Sequence, residues 1–193
     1  MPKELIRCDW CHSTPQYMAY HDEEWGVPKH DRRRLFEDLI LDGFQAGLSW
    51  RTILEKRENF RRAFDNFEPE KVARYGDKQT IRLLEDAGIV RNRQKVAAAI
   101  GNARALIALE QELGIGFEQY IWDFVKGKPV VNKCSCMGDI PARTELSDEI
   151  SKALLKRGFK FVGSTIVYAF MQAVGMVNDH ITSCHRYKAC GRG

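Results

Sequence analysis

Leu84-Glu85-Asp86-Ala87-Gly88-Ile89-Val90-Arg91-Asn92-Arg93 reads as the end of one helix, a bend at glycine and the start of another. Upstream, Asp77 predicts a cap for a helix that ends at Gly88. Downstream, apolar positions continue past Ala97 to Leu113, where Gly114 predicts the stop. A helix end and a helix start that meet at such a bend turn backbone N–H groups outward, and these suit a phosphate. Arg91, Arg93 and Lys95 stand beside Gly88 to assist it. A plain two-helix corner with solvated arginines fits the same residues.

The same grammar extends in both directions. Asp31 predicts a helix from about Arg32 to Ala46, and Ser49 one from Trp50 to about Phe64, with Ile53, Leu54, Phe60 and Phe64 at helical spacing. Glu68-Pro69-Glu70 opens a short helix with proline first. Phe117 to Lys126 makes one more, and Lys128 to Arg143 forms the longest loop. Ser147 predicts a cap for a helix through Arg157, and Ser164 to Val174 makes a last core helix. No stretch alternates as a strand does, so the fold class is all-α.

With 44% hydrophobic and 29% charged residues, the 193-residue chain is neither disordered nor membrane-spanning. Met1-Pro2-Lys3-Glu4 leads into no signal-type apolar segment, so a cytoplasmic location is expected. The net charge of +4 is uneven: from Ser151 on, seven basic residues including Arg192 face the single acid Asp179, leaving +6 there and −2 over the first 150 residues. That split favours a polyanionic partner, although a solvated basic face produces it too.

Between the first two long helices, Leu39 to Trp50 places Asp42 and the amide Gln45 in an apolar run that breaks at Gly43 and Gly47, with Leu48 between them and Ser49. A carboxylate held among apolar neighbours is costly without a partner. A carboxylate, an amide and the Trp50 indole around a bend suit a pocket for a planar ligand that hydrogen-bonds. A helix corner with a solvated aspartate is the plainer alternative.

Six cysteines, in a chain for which no leader is expected, point to thiols or metal rather than disulfides. His180 and Cys184 are four residues apart, which on a helical turn directs both the same way and suits two zinc ligands. Cys8 and His21 are available at the other end of the chain, and such a site would close a very long loop. Cys11, His12, His185 and Cys190 compete for the same role.

Four segments taken together resemble the bacterial 3-methyladenine DNA glycosylase I family. They are Tyr20-His21-Asp22-Glu23-Glu24-Trp25-Gly26-Val27-Pro28, Gln45-Ala46-Gly47-Leu48-Ser49-Trp50, Lys156 to Gly163, and Val177-Asn178-Asp179-His180. The resemblance covers nearly the whole chain in order. It implies a helix-hairpin-helix glycosylase fold, with the hairpin at Asp86 to Val90, and a structural zinc on Cys8, His21, His180 and Cys184 that ties the ends together. It also implies a base flipped onto Trp50, with Tyr17, Tyr20, Trp10 or Trp25, and Gln45 closing the pocket and Asp42 as the catalytic carboxylate. Gly47 and Leu48 would enter the duplex, with Gly88, Arg91, Arg93 and Lys160 on the DNA. Family members carry glutamate where this chain has Asp42, one methylene shorter.

On this reading the chain is a single unit of two lobes, about 32–145 with the hairpin near 84–93, and 1–31 plus 146–193 with the zinc. The expected activity is monofunctional excision of 3-methyladenine from double-stranded DNA containing alkylated bases, by a monomer that needs no membrane. A lesion-binding protein without turnover and a hydrolase with an open zinc site are the alternatives carried forward.

Overall fold

Capping residues followed by apolar spacing of three and four set the helix starts, and the computed structural model, which describes residues 5–191, carries ten α-helices there. Met1-Pro2-Lys3-Glu4 and Arg192, used above for the leader and the charge split, lie outside the described residues. Helix α1 (Pro15–Glu23) follows Thr14, whose side chain accepts from the Tyr17 amide. Helix α2 (Arg32–Gln45) starts at Asp31, whose carboxylate accepts from Arg34 N at 2.8 Å. Helix α3 (Trp50–Ala63) starts at Ser49, whose hydroxyl accepts from Thr52 N at 3.2 Å. Helix α4 (Pro69–Ala73) has proline first, and α5 (Asp77–Glu85) and α6 (Arg93–Leu113) flank the expected hairpin. Helices α7 (Phe117–Asp123), α8 (Glu145–Lys156), α9 (Ser164–Ala173) and α10 (Tyr187–Cys190) complete the set.

Several boundaries move for local reasons. Helix α5 is capped at Gly76, whose N–H donates to the Gln79 side chain at 3.1 Å, so Asp77 is its first residue rather than its cap. Helix α8 is capped at Thr144, three residues before the expected Ser147 cap. Thr144 and Ser147 each accept the other's amide, at 3.2 and 2.8 Å, which makes Ser147 the inner member of a capping box. The all-α reading also missed one pairing: β1 (Val130–Val131) lies parallel to β2 (Val177–Asn178). Two residues per strand are too few to show alternation.

The core forms around α2, whose Leu35, Phe36, Leu39, Ile40, Leu41 and Phe44 are all buried against α3, α6 and α9. Fully burying each such side chain contributes about 1.5–3 kcal/mol. Gly43 lies inside α2 rather than in the bend, where a Cβ would meet that of Phe161 at 3.4 Å.

The two ends of the chain meet where the segment after α1 crosses the end of α9. Gly26 N donates to Gln172 O and Lys29 N to Val174 O, both at 3.0 Å. At the crossing, Gly175 has φ +74° and a Cβ there would lie 2.4 Å from Pro28 N, so only glycine fits. A small second core of Cys8, Tyr20, Trp25, Leu54, Ile181 and Cys184 forms beside this crossing.

Candidate active site and metal centre

Helix α2 is buried along almost its whole length, so its polar residues are carried inward with it. Asp42 is 3% exposed, and its Oδ2 is buried without a hydrogen-bond partner among the described residues. Desolvation pushes its carboxyl well above the usual range, and the Asp38 charge one turn away pushes further, against Lys29. Trp50, at the first position of α3, likewise buries an unpartnered Nε1. An orphaned acceptor and an orphaned donor thus line one cavity of about 310 Å³. Buried polar atoms are rarely left unmade, so this pair is what a bound ligand would satisfy.

The cavity brings together all the residues expected for it: Trp10, Tyr17, Tyr20, Trp25, Gln45 and Asp42 join Trp50. Their rings interlock, Trp10 against Tyr17 at 4.9 Å and against Trp25 at 5.0 Å, both edge-on, with Tyr20 tilted over Trp50 at 5.4 Å. Burial raises both phenols, and in Tyr20 the Asp42 charge raises it further, so each keeps its proton and can donate.

The far wall was not foreseen. It comes from Met137, Ile140 and Pro141 of the long loop, and from Thr165, Tyr168 and Gln172 of α9. Those three polar residues recur at helical spacing on a mostly apolar helix, and that stripe is the signal the sequence offered. Tyr168 and Gln172 donate to Asp179 Oδ2 at 2.7 and 2.8 Å, and Asn132 donates to Oδ1 at 2.7 Å. That buried carboxylate joins α9, the loop before Cys134 and the turn carrying His180.

Gly47 has φ +76° and sets the bend, leaving Leu48 42% exposed at its tip. Arg91, Arg93 and Lys160 are exposed. Lys160 stands on a strap anchored by Asn102, which donates to its carbonyl at 2.9 Å and accepts from its amide at 2.8 Å. Two expectations for the hairpin need correction. The Gly88 amide donates to Asp86 Oδ1 at 2.7 Å, so it is not turned to solvent for a phosphate. Lys95 does not accompany the arginines; its Nζ is turned inward to the carbonyls of Phe44 (2.9 Å) and Ala46 (2.6 Å).

Behind the cavity wall, Cys8, His21, His180 and Cys184 are buried with their ligand atoms all within 4.8 Å of one another. His180 and Cys184 lie on a turn closed by Cys184 N to Ile181 O (2.8 Å), and their side chains converge. The separations are 3.7 Å from Cys8 Sγ to His180 Nδ1, and 3.5 Å from Cys184 Sγ to both His180 Nδ1 and His21 Nε2. Ligands about 2.0–2.3 Å from a common tetrahedral centre stand about 3.3–3.8 Å apart, so the set fits a zinc-sized ion.

The outer nitrogens are already oriented for that use. His21 Nδ1 lies 2.8 Å from Asp22, itself held by Arg7, and His180 Nε2 lies 3.1 Å from Trp25 O. Through their mutual hydrogen bond Cys184 is driven far below, and Cys8 far above, the ordinary thiol range. Cys11 spends its thiol on the Cys8 carbonyl at 3.1 Å and stays outside the set.

Comparison with known proteins agrees with this geometry. The family model described as methyladenine glycosylase matches residues 10–187. DNA-3-methyladenine glycosylase 1 of Escherichia coli (strain K12) is 52% identical over 183 residues, spanning 95% of this chain and 97% of the relative. DNA-3-methyladenine glycosylase of Haemophilus influenzae is 45% identical over 178 residues, spanning 92% and 96%. A crystal structure of a 3-methyladenine DNA glycosylase I superposes with a TM-score of 0.91 at 52% identity, covering 93% of this chain and 98% of that one. The Staphylococcus aureus enzyme, solved for its recognition of 3-methyladenine, gives 0.90 at 36% identity, covering 94% and 96%. Sharing that fold from end to end, the chain belongs to the methyladenine glycosylase family.

Proposed function

We propose that this chain is a monofunctional DNA glycosylase that flips 3-methyladenine out of alkylated DNA and cuts its N-glycosyl bond, leaving an abasic site. The observation that carries the reading is the unpartnered Asp42 carboxylate beside the Trp50 indole in an aromatic cavity. A base inside a duplex is out of reach, so the nucleotide must rotate out, and a damaged, weakly stacked base costs less to extrude. Leu48, exposed at the Gly47 bend, holds the emptied stack open as a wedge. Arg91, Arg93 and Lys160, exposed on one side of the hairpin and on the strap, meet the phosphates.

N3-alkylation makes the base cationic while it is attached to the sugar, and hence a good leaving group. The indole face of Trp50 then attracts it over neutral adenine by roughly 1–2 kcal/mol when desolvated. Asp42 Oδ2 accepts from the exocyclic amine, and the carboxylate faces the positive ring. Tyr17, Tyr20 and Gln45 offer donors, and Trp10 and Trp25 exclude water. As the C–N bond lengthens, positive charge passes to the sugar, where the carboxylate and the DNA phosphates favour it. Water adds to the sugar carbon. An unalkylated adenine loses the charge-dependent part of this binding and stays stacked. A lesion binder without turnover gains no support from a cavity that keeps both its carboxylate and its indole.

The buried quartet holds a structural zinc in this reading. Four protein ligands leave no position for water, so the ion supplies fold rather than chemistry, and an open hydrolytic centre is disfavoured. The described residues 5–31 and 146–191 gather around it as one lobe, and 32–145 with the hairpin make the other. The protein works as a monomer on double-stranded DNA in the cytoplasm.

The test is release of free base from methylated duplex, with the product identified by chromatography. The wild type should release 3-methyladenine and leave the strand uncut. Folded Asp42→Asn should lose roughly 10²-fold in kcat/KM, and Trp50→Ala roughly 10-fold. Full release by both variants would remove the cavity assignment, and binding of the lesion without release by the wild type would favour the binding protein.

A further inference from the structure

The last turn of α2 and the bend after it expose a run of carbonyls that no helix continues to satisfy. Gly43 O is taken by the Ala46 amide at 3.4 Å and Gln45 O by the Leu48 amide at 2.6 Å. Phe44 O and Ala46 O are both taken by Lys95 Nζ, which reaches them from another helix. Lys95 is 8% exposed, so its ammonium has given up most of its water for these two carbonyls, and burial accordingly lowers its pKa. A cation at a helix C-terminus also meets the negative end of the helix dipole.

The chain position of Lys95 gives this grip its meaning. It is the third residue of α6, two after Arg93 and three after Asn92, whose side chain caps the helix by accepting the Lys95 amide at 3.1 Å. Arg93, proposed to meet the DNA backbone, and the residue that holds the wedge bend therefore share one helical turn. Two turns along α6, Asn102 holds the Lys160 strap in the same manner, by paired backbone hydrogen bonds. Gly43 packs on Phe161 of that strap, so α2, the bend and the strap are seated together against one stripe of α6.

We propose that Lys95 is a positioning residue that fixes the Gly47-Leu48 wedge relative to the hairpin, so that docking on the phosphates presents Leu48 to the stack at the correct depth. This rests on the glycosylase reading given above. It assigns Lys95 no contact with substrate. It predicts that the residue serves DNA engagement and flipping, and leaves recognition of the free base, which depends on Asp42 and Trp50, to the cavity itself.

The experiment compares wild type, Lys95→Met, Leu48→Ala and the double variant on three readouts. These are affinity for a duplex with a stable abasic-site analogue, single-turnover base release, and quenching of tryptophan fluorescence by free 3-methyladenine. Lys95→Met should weaken abasic-duplex binding and slow base release about tenfold, and leave free-base quenching within about twofold of wild type. In the double variant the two losses should not add, because both substitutions disable one wedge. Lys95→Arg, which keeps a cation and its donors, should recover part of the loss. Should Lys95→Met not fold, Lys95→Gln, with amide donors on a shorter stem, is read by the same criteria.

Strict additivity with Leu48→Ala, or loss of free-base and duplex binding in equal measure, would overturn the proposal and reduce Lys95 to a helix cap. A wild type that discriminates neither abasic DNA nor free base would instead overturn the glycosylase reading, and this proposal with it.

Discussion

At the scale of single residues, the chain stores its most costly group where the chemistry is proposed to occur. The Asp42 carboxyl is buried, has an unpartnered oxygen and is raised above the ordinary carboxylate range by desolvation first and Asp38 second. Between the unfolded value near 4 and the raised folded one, the native state keeps a proton that the unfolded chain has released. Stability therefore falls as pH rises through that window, and the cost is complete above it. Asp42→Asn should accordingly gain on the order of 1–3 kcal/mol at pH 8 and nothing below about pH 4. Thermal melts of both proteins across pH check this, and a variant less stable than wild type at pH 8 would show that the carboxylate is satisfied in some other way. That Asp42 was costly could be read from its place in an apolar run. That Lys95 points inward could not, because its acceptors lie about fifty positions away.

At the scale of elements, the bends and crossings carry the demands that sequence spacing conveys least. The α2 and α3 boundaries were legible because caps act within one turn, whereas the helix expected to end at Gly88 stops at Glu85, where Asp86 is already extended. The cavity's far wall was not, since Thr165, Tyr168 and Gln172 acquire a role only when α9 packs on α2 and the Asp179 carboxylate draws two of them together. The His180–Cys184 turn does not extend into a helix for a related reason. Its backbone is recruited by neighbours, as where Thr182 N donates to Cys134 O at 2.8 Å. The tightest of these crossings is Gly175, with a left-handed φ and the Val27–Pro28 backbone at 2.4–2.7 Å from any Cβ. Gly175→Ala should cost about 3 kcal/mol or more, because the obstacle is backbone rather than a flexible side chain. Urea unfolding of the variant measures it, and a loss below about 1 kcal/mol would mean the crossing relaxes freely. Base release per folded molecule should change far less than stability, since Asp42 and Trp50 lie on other elements.

At the scale of the whole molecule, the candidate metal quartet joins distant sequence positions, with Cys8 and His180 separated by 172 residues. Closing so long a loop removes several kcal/mol of unfolded-state freedom, about 4–5 by the cross-link analogy. For a chain of this length that corresponds to a melting shift on the order of 10 °C or more. The same residues brace the cavity from behind: His180 holds the Trp25 carbonyl, and Trp10 packs edge-on to His21 at 5.4 Å. Removing the ion with a strong chelator should therefore lower the melting temperature by that order. It should also weaken free-base binding, because Trp10 and Trp25 lose their backing while Asp42 keeps its place on α2. Cleavage by a protease should start in residues 5–31 and near the C-terminus, sparing α2 to α6, if the two-lobe division holds. Re-addition of zinc should restore the melt and the binding together. Elemental analysis finding no zinc in the purified protein, or a melt indifferent to chelation, would leave the quartet as a hydrogen-bonded thiol and imidazole cluster that closes the chain without an ion.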